Sequence, residues 1–234
     1  MKGAGMVGMS LLRISAIAAV MLSSTIVLDR IEPGFLLSEA VAQDDKPKKD
    51  TRETRRTPAL RNKVYERLAE AQTLAEGKEY VAAAAILDDM ISEDGKRALN
   101  SYELANVYNL HAFLSYVKED YVASLRYYQQ VIAQPDIPLA MEINTRFTVA
   151  QLYFVQEKWQ QGIDALLMWF DLNEQPNADA YVLLAQGYYQ VKKYDLALNN
   201  VETVISKHET AGKLPKEQWS NLARFLYFDK DDFV

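Results

Sequence analysis

Cysteine is absent from the 234 residues. That removes a disulfide framework, a thiolate metal site, a catalytic thiol and a lipid-bearing cysteine together. Histidine is nearly as scarce: His111 and His208 are the only two, and neither has a partner at ligand spacing. A metal centre or nucleophilic triad would have to be built from carboxylates and hydroxyls. Glycine is sparse, and no Gly-rich phosphate loop stands in the body of the chain. His111, within "NLHAFLSY", reads as a packed or hydrogen-bonded side chain, and His208, after Lys207, as a favourable charge near a helix C-terminus. The acidic pairs Asp88 with Asp89, Glu119 with Asp120 and Asp231 with Asp232 read as solvated, the first on a helix and the others in turns. No cofactor or metal is expected, and no enzyme activity.

Residues 59–234 carry 17 Lys and Arg against 25 Asp and Glu, a net charge of −8, which is no surface for nucleic acid. "QDDKPKKDTRETRRTP", 43–58, holds six basic and four acidic residues and no apolar side chain beyond its prolines, as expected of a flexible charged linker. Before it, "ISAIAAVMLSSTIVL", 14–28, is an uncharged apolar run preceded by few charges, the pattern of a secretory signal. The run is shorter than the roughly 20 residues of a spanning helix. Ala40 and Ala42 offer a cleavage site after Ala42. The polar gap at Asp29, Arg30 and Glu32 keeps an uncleaved N-terminal anchor open as the alternative. Either way the body is expected to be exported to the periplasm.

The body repeats itself. Aligned on Tyr80, Tyr121, Trp159 and Tyr194, it shows a small residue three positions later, Ala83, Ser124, Gly162 and Ala197. An alanine stands nine positions earlier, at Ala71, Ala112, Ala150 and Ala185. The anchors are 41, 38 and 35 residues apart, one unit of about 34 plus a short loop. That length fits a pair of helices: small residues let the two approach closely, and the aromatic plugs the turn between them. "GKEY", "KEDY", "QEKW" and "VKKY" are the turns. A fifth unit begins with Trp219, Leu222, Ala223 and Leu226, reaches its turn at "DKDDFV" and lacks a second helix, so the chain reads as a shortened or truncated version of a longer array.

This arrangement resembles the tetratricopeptide repeat. Tyr181, Leu184, Ala185, Tyr188, Tyr194, Ala197, Val201 and Val204 occupy its eight signature positions in the fourth unit. Arg146, Glu70, His111 and Ser115 depart from it in the others. The resemblance implies an all-α, tetratricopeptide-type helix-pair solenoid over 59–234, of about four and a half repeats. "TRRTPALRNKVYERLAEAQ", 54–72, between an export signal and loose repeats, further resembles periplasmic tetratricopeptide proteins encoded with TonB, ExbB and ExbD. That implies a part in TonB-dependent energy transduction and outer-membrane transport.

In such a fold the first helices line the concave side, and positions 2, 5, 9 and 12 of each repeat form a surface. They place Tyr65 and Gln72 in repeat one, Asn106, Asn109, Phe113 and Tyr116 in repeat two, and Asn144, Phe147, Gln151 and Phe154 in repeat three. Gln186 and Tyr189 follow in repeat four. Amides can pair with the backbone of an extended peptide, and rigid aromatics add contact area at low entropic cost. The position-12 aromatics Tyr116, Phe154 and Tyr189 are equally accounted for by packing against the next repeat. The first reading is a non-catalytic scaffold or adaptor for a protein or peptide segment, one candidate being a TonB-system component. The alternatives are an assembly factor for outer-membrane proteins or surface appendages, or an accessory domain of a cell-wall or polysaccharide enzyme.

Overall fold

The computed structural model describes residues 58–231. The expected leader, its cleavage site and all of the charged linker but Pro58 lie outside the described residues. Within them the chain forms ten helices and no strand, as the repeat requires. The first pair is α1 (Asn62–Glu76) and α2 (Tyr80–Met90), followed by a short α3 (Glu93–Ala98). The second is α4 (Ser101–Val117) and α5 (Tyr121–Ile132), the third α6 (Leu139–Val155) and α7 (Trp159–Leu172). The fourth is α8 (Ala178–Gln190) and α9 (Tyr194–Thr210), and α10 (Glu217–Asp231) opens a fifth. Asp231 ends α10 instead of lying in a turn. No described helix is long and apolar enough to cross a membrane.

Each pair reverses direction over three residues, and every reversal uses the same backbone device. The middle residue is left-handed at Lys78, Glu119, Glu157 and Lys192, with φ between 56° and 63°. That twist lets the residue before each anchor aromatic donate its N–H to a carbonyl five positions back, at 2.8–2.9 Å: Glu79 to Leu74, Asp120 to Ser115, Lys158 to Tyr153 and Lys193 to Tyr188. Carbonyls left over at the end of the first helix are thereby satisfied, as in a Schellman motif. The anchor aromatic then starts the second helix in every pair.

The small residues occupy the closest helix contacts. Ala71, Ala112, Ala150 and Ala185 are buried, as are Ala83, Ser124, Gly162 and Ala197. Ser124 Oγ donates to the Ala112 carbonyl at 2.9 Å, joining the two marker positions of the second pair. At Gly162 a β-carbon would sit 3.0 Å from the Phe154 ring, and at Gly187 one would come within 2.6 Å of it and 2.9 Å of Ile163. The space a larger side chain would take is therefore filled by Phe154.

Variable spacing between repeats has a structural cause. The longest interval, from Tyr80 to Tyr121, contains α3. The next carries a loop in which Ile137 turns inward onto Leu104, Ala105, Tyr108 and Val131. Beyond it, Ala112, Leu125, Tyr128, Val149 and Leu152 join the second pair to the third. A larger apolar cluster runs from Ala150 in α6 through Trp169, Leu184 and Val201 to Trp219 and Leu226 in α10. Burying such side chains contributes on the order of 1.5–3 kcal/mol each before the entropic cost of ordering them.

Candidate partner-binding surface

The predicted surface residues fall on four first helices, α1, α4, α6 and α8, and they differ in how free they are. Asn106 and Gln151 are only 7% exposed, and Asn106 Nδ2 donates to the Tyr102 carbonyl one turn earlier at 2.8 Å. Phe113 and Phe154 are buried as well. Asn144 is exposed, while Asn109 and Gln186 are half-buried. The side-chain amides of these last three make no hydrogen bond among the described residues. Tyr65 is 47% exposed. Gln72 Nε2 donates to Glu76 Oε1 at 2.9 Å, and its Oε1 is buried without a partner.

The position-12 aromatics do pack: all three meet a ring of their own repeat, and Phe154 and Tyr189 also meet the next one, at Gly187 and Phe225. Tyr116 meets Tyr121 at 5.9 Å between ring centroids, Phe154 meets Trp159 at 6.2 Å and Tyr189 meets Tyr194 at 5.6 Å. The next-to-last residue of the first helix thus closes on the aromatic that starts the second, which is why the turn selects aromatics at both places. Tyr189 also contacts Phe225 at 5.7 Å, and its hydroxyl donates to Asp229 Oδ2 at 2.9 Å. Burial first, and then the Asp229 carboxylate, push its hydroxyl's pKa up. Phe147 packs on Trp169 at 4.8 Å. The residues left facing outward with unused polar capacity are therefore Asn109, Asn144 and Gln186, with Tyr65 beside them in sequence order.

Both histidines have structural surroundings. His111 is 4% exposed, lies flat on Tyr127 at 4.5 Å and 9°, and has Nε2 3.1 Å from Asp88 Oδ1, off a good hydrogen-bond line. Burial foremost pulls its pKa down, against the opposing carboxylate of Asp88. His208 sits in the last turn of α9, edge-on to Trp219 at 4.6 Å. Asp120 caps α5 by accepting from the Ala123 N–H, and Asp88 and Asp89 are exposed. No group of three or more His, Asp or Glu among the described residues is arranged to hold a metal ion.

Glu103 was not marked by the repeat pattern, yet it is fully buried. Its carboxylate accepts from the Asn100 backbone N–H at 3.0 Å, and Asn100 Oδ1 accepts from the Glu103 N–H at 2.9 Å, a capping box that starts α4. Arg61, just before α1, adds its backbone N–H at 3.2 Å, Nε at 2.8 Å and Nη2 at 2.5 Å to the same carboxylate. The "NSYE" spacing at 100–103 signals the capping box. Nothing in the sequence signals the arginine, which lies 42 residues away.

No protein-family model matches the chain, and no curated protein matches it. Solved structures do. RapI in its apo form has a TM-score of 0.57 at 12% identity over 73% of this chain; the match covers 65% of RapI, just under two thirds of its length. MamA AMB-1 has 0.55 at 11% identity, covering 72% of this chain and 83% of that one. A putative kinesin light chain of Podosopora anserina with nearly identical TPR-like repeats has 0.57 at 11% identity, covering 73% and 87%. At these identities the likeness establishes the fold, a tetratricopeptide-type helix-pair solenoid.

Proposed function

We propose that the chain is a non-catalytic periplasmic scaffold that captures an extended protein or peptide segment along its first-helix face, within TonB-dependent energy transduction. The observation that carries the capture is the set of free amides at Asn109, Asn144 and Gln186, on three successive first helices. An amide offers both donor and acceptor, so a row of them suits the alternating N–H and C=O of an extended backbone. Stacked helix pairs curve, which turns their first helices into an extended concave surface. Positions 2, 5, 9 and 12 of the four complete pairs hold no Lys or Arg, so the surface suits a neutral stretch of chain better than a carboxylate terminus. Export is supported by the uncharged run at 14–28 and by Ala40 and Ala42. The TonB assignment is supported by the resemblance of 54–72.

Replacing Asn109, Asn144 and Gln186 together with alanine should leave thermal unfolding almost unchanged. Capture of the TonB-system partner, identified by periplasmic crosslinking from position 144, should weaken by about 0.5–1.5 kcal/mol per lost hydrogen bond. A triple variant that folds normally and binds that partner with wild-type affinity would falsify the face as the binding site.

A further inference from the structure

Three arginines stand on first helices: Arg67 on α1, Arg146 on α6 and Arg224 on α10. Two are matched to carboxylates, Arg67 to Asp89 at 2.8 Å and Arg146 to Glu142 at 2.8 Å. Arg224 has no ion pair among the described residues. It is exposed, and its hydrogen bond runs from Nη1 to the neutral Asn221 Oδ1 at 3.2 Å, one turn earlier. That bond steadies the side chain and leaves most of the guanidinium's N–H donors unused. With 25 Asp and Glu against 17 Lys and Arg over 59–234, the chain has carboxylates to spare, yet none is placed on this arginine.

The place of Arg224 in the repeat continues the candidate surface. Ala223 is the marker alanine of the fifth unit, and Arg224 follows it as Gln72, Phe113, Gln151 and Gln186 follow theirs. The first helices α8 and α10 touch directly, since Tyr189 meets Phe225 and donates to Asp229. Packed helices lie about 8–10 Å apart, a step that extended chain covers in about three residues. The carboxylates nearby are distant or engaged. Glu217 stands two turns earlier on α10, about 10 Å along the axis, beyond the Debye length at physiological salt. Asp229 accepts from Tyr189, and Glu202 of α9 from Tyr227.

We propose that Arg224 gives the surface a direction and a charge preference: it receives the carboxylate of an Asp or Glu about three residues beyond the residue held at Gln186. The inference rests on the scaffold reading and adds the chemistry of the partner, a neutral extended stretch with an acidic residue at the end that lies on α10. A planar guanidinium engages a carboxylate through two parallel N–H donors, and an uncharged amide in the same place makes a weaker contact. The net negative charge of the molecule opposes an acidic partner at long range, but salt screens that field, so the contact at Arg224 decides. Because the side chain is exposed, the gain is modest, about two- to fivefold in affinity.

Arrays of short neutral peptides built from Ala, Ser, Thr, Gln and Val, each repeated with a single Glu or a single Gln at every position, test this with the full chain. Among captured peptides Glu should exceed Gln near one end by about two- to fivefold, and the excess should shrink as salt is raised. Arg224→Gln should abolish the excess without lowering capture of the neutral peptides or the temperature of unfolding, and Arg224→Lys should retain part of it. Equal capture of Glu and Gln peptides at every position, or an Arg224→Gln protein that keeps the excess, would overturn the inference and leave the surface in place. Capture of no peptide, or capture that joint alanine replacement of Asn109, Asn144 and Gln186 does not weaken, would overturn the surface itself and the partner chemistry with it.

Discussion

Lys78, Glu119, Glu157 and Lys192 share a backbone conformation that side chains with a β-carbon resist, at about 1–2 kcal/mol each. The turn keeps them there because the following N–H gains a carbonyl from the first helix and the anchor aromatic gains its partner ring. Glycine would relieve the strain, offset by about 0.5–1 kcal/mol of extra freedom in the unfolded chain. Glu157→Gly is expected to raise unfolding stability by about 0.5–1 kcal/mol in a urea titration, since Glu157 is exposed and its side chain makes no bond among the described residues. The opposite effect would mean that the side chain holds the turn. Among the described residues the one glycine at such a site, Gly212 with φ 67°, follows α9 with open space about it. "GKEY" places its glycine one residue ahead of the left-handed position, so the turn's location was readable from the aromatic and not from glycine.

At the scale of helices, the pairing was legible because the alanine and small-residue markers recur at constant spacing. Ala185 is buried against Tyr188, Ala197 and their neighbours. Ala185→Phe is expected to lower stability by about 1–3 kcal/mol through overpacking, and unchanged thermal unfolding would argue against a close contact there. Helix α3 was not legible. Its six residues, "EDGKRA", are too short to show a period, so it registered only as extra length between Tyr80 and Tyr121. The surface was legible in part. Of the residues that repeat position placed on it, Asn144 is exposed and Asn109 and Gln186 half-buried, whereas Asn106, Phe113, Gln151 and Phe154 are buried. Position on a helix gives direction, and burial depends on what lies across from it.

The whole solenoid divides unevenly. All three tryptophans, Trp159, Trp169 and Trp219, belong to α7 and α10, so intrinsic tryptophan fluorescence reports on the C-terminal half alone. Helical repeats unfold through neighbour contacts rather than as an indivisible block. As pH is lowered from 7.5 to 5.5, loss of far-UV helical signal with urea should move further ahead of the fluorescence change, because unfolding α4 frees an imidazole that burial keeps in its neutral form. Coincident transitions at both values would mean that the first pair unfolds with the rest. The sign follows from the depressed imidazole pKa, since a group that must lose its proton to be buried stabilises the fold above its unfolded value and loses that contribution below it.

The helix pairs, their turns and their closest contacts were determined by the sequence itself, because a steric requirement recurring every repeat leaves a recurring residue. Small residues mark close approach, and aromatics mark reversals. Only the tertiary structure decided the partners with no period: Arg61 on Glu103, Asp88 beside His111, and Asp229 on Tyr189. Each joins residues from different repeats, once in the molecule, through side chains long enough to reach several places. What selects among those places is the packing of neighbouring helices, and that exists only after the chain has folded.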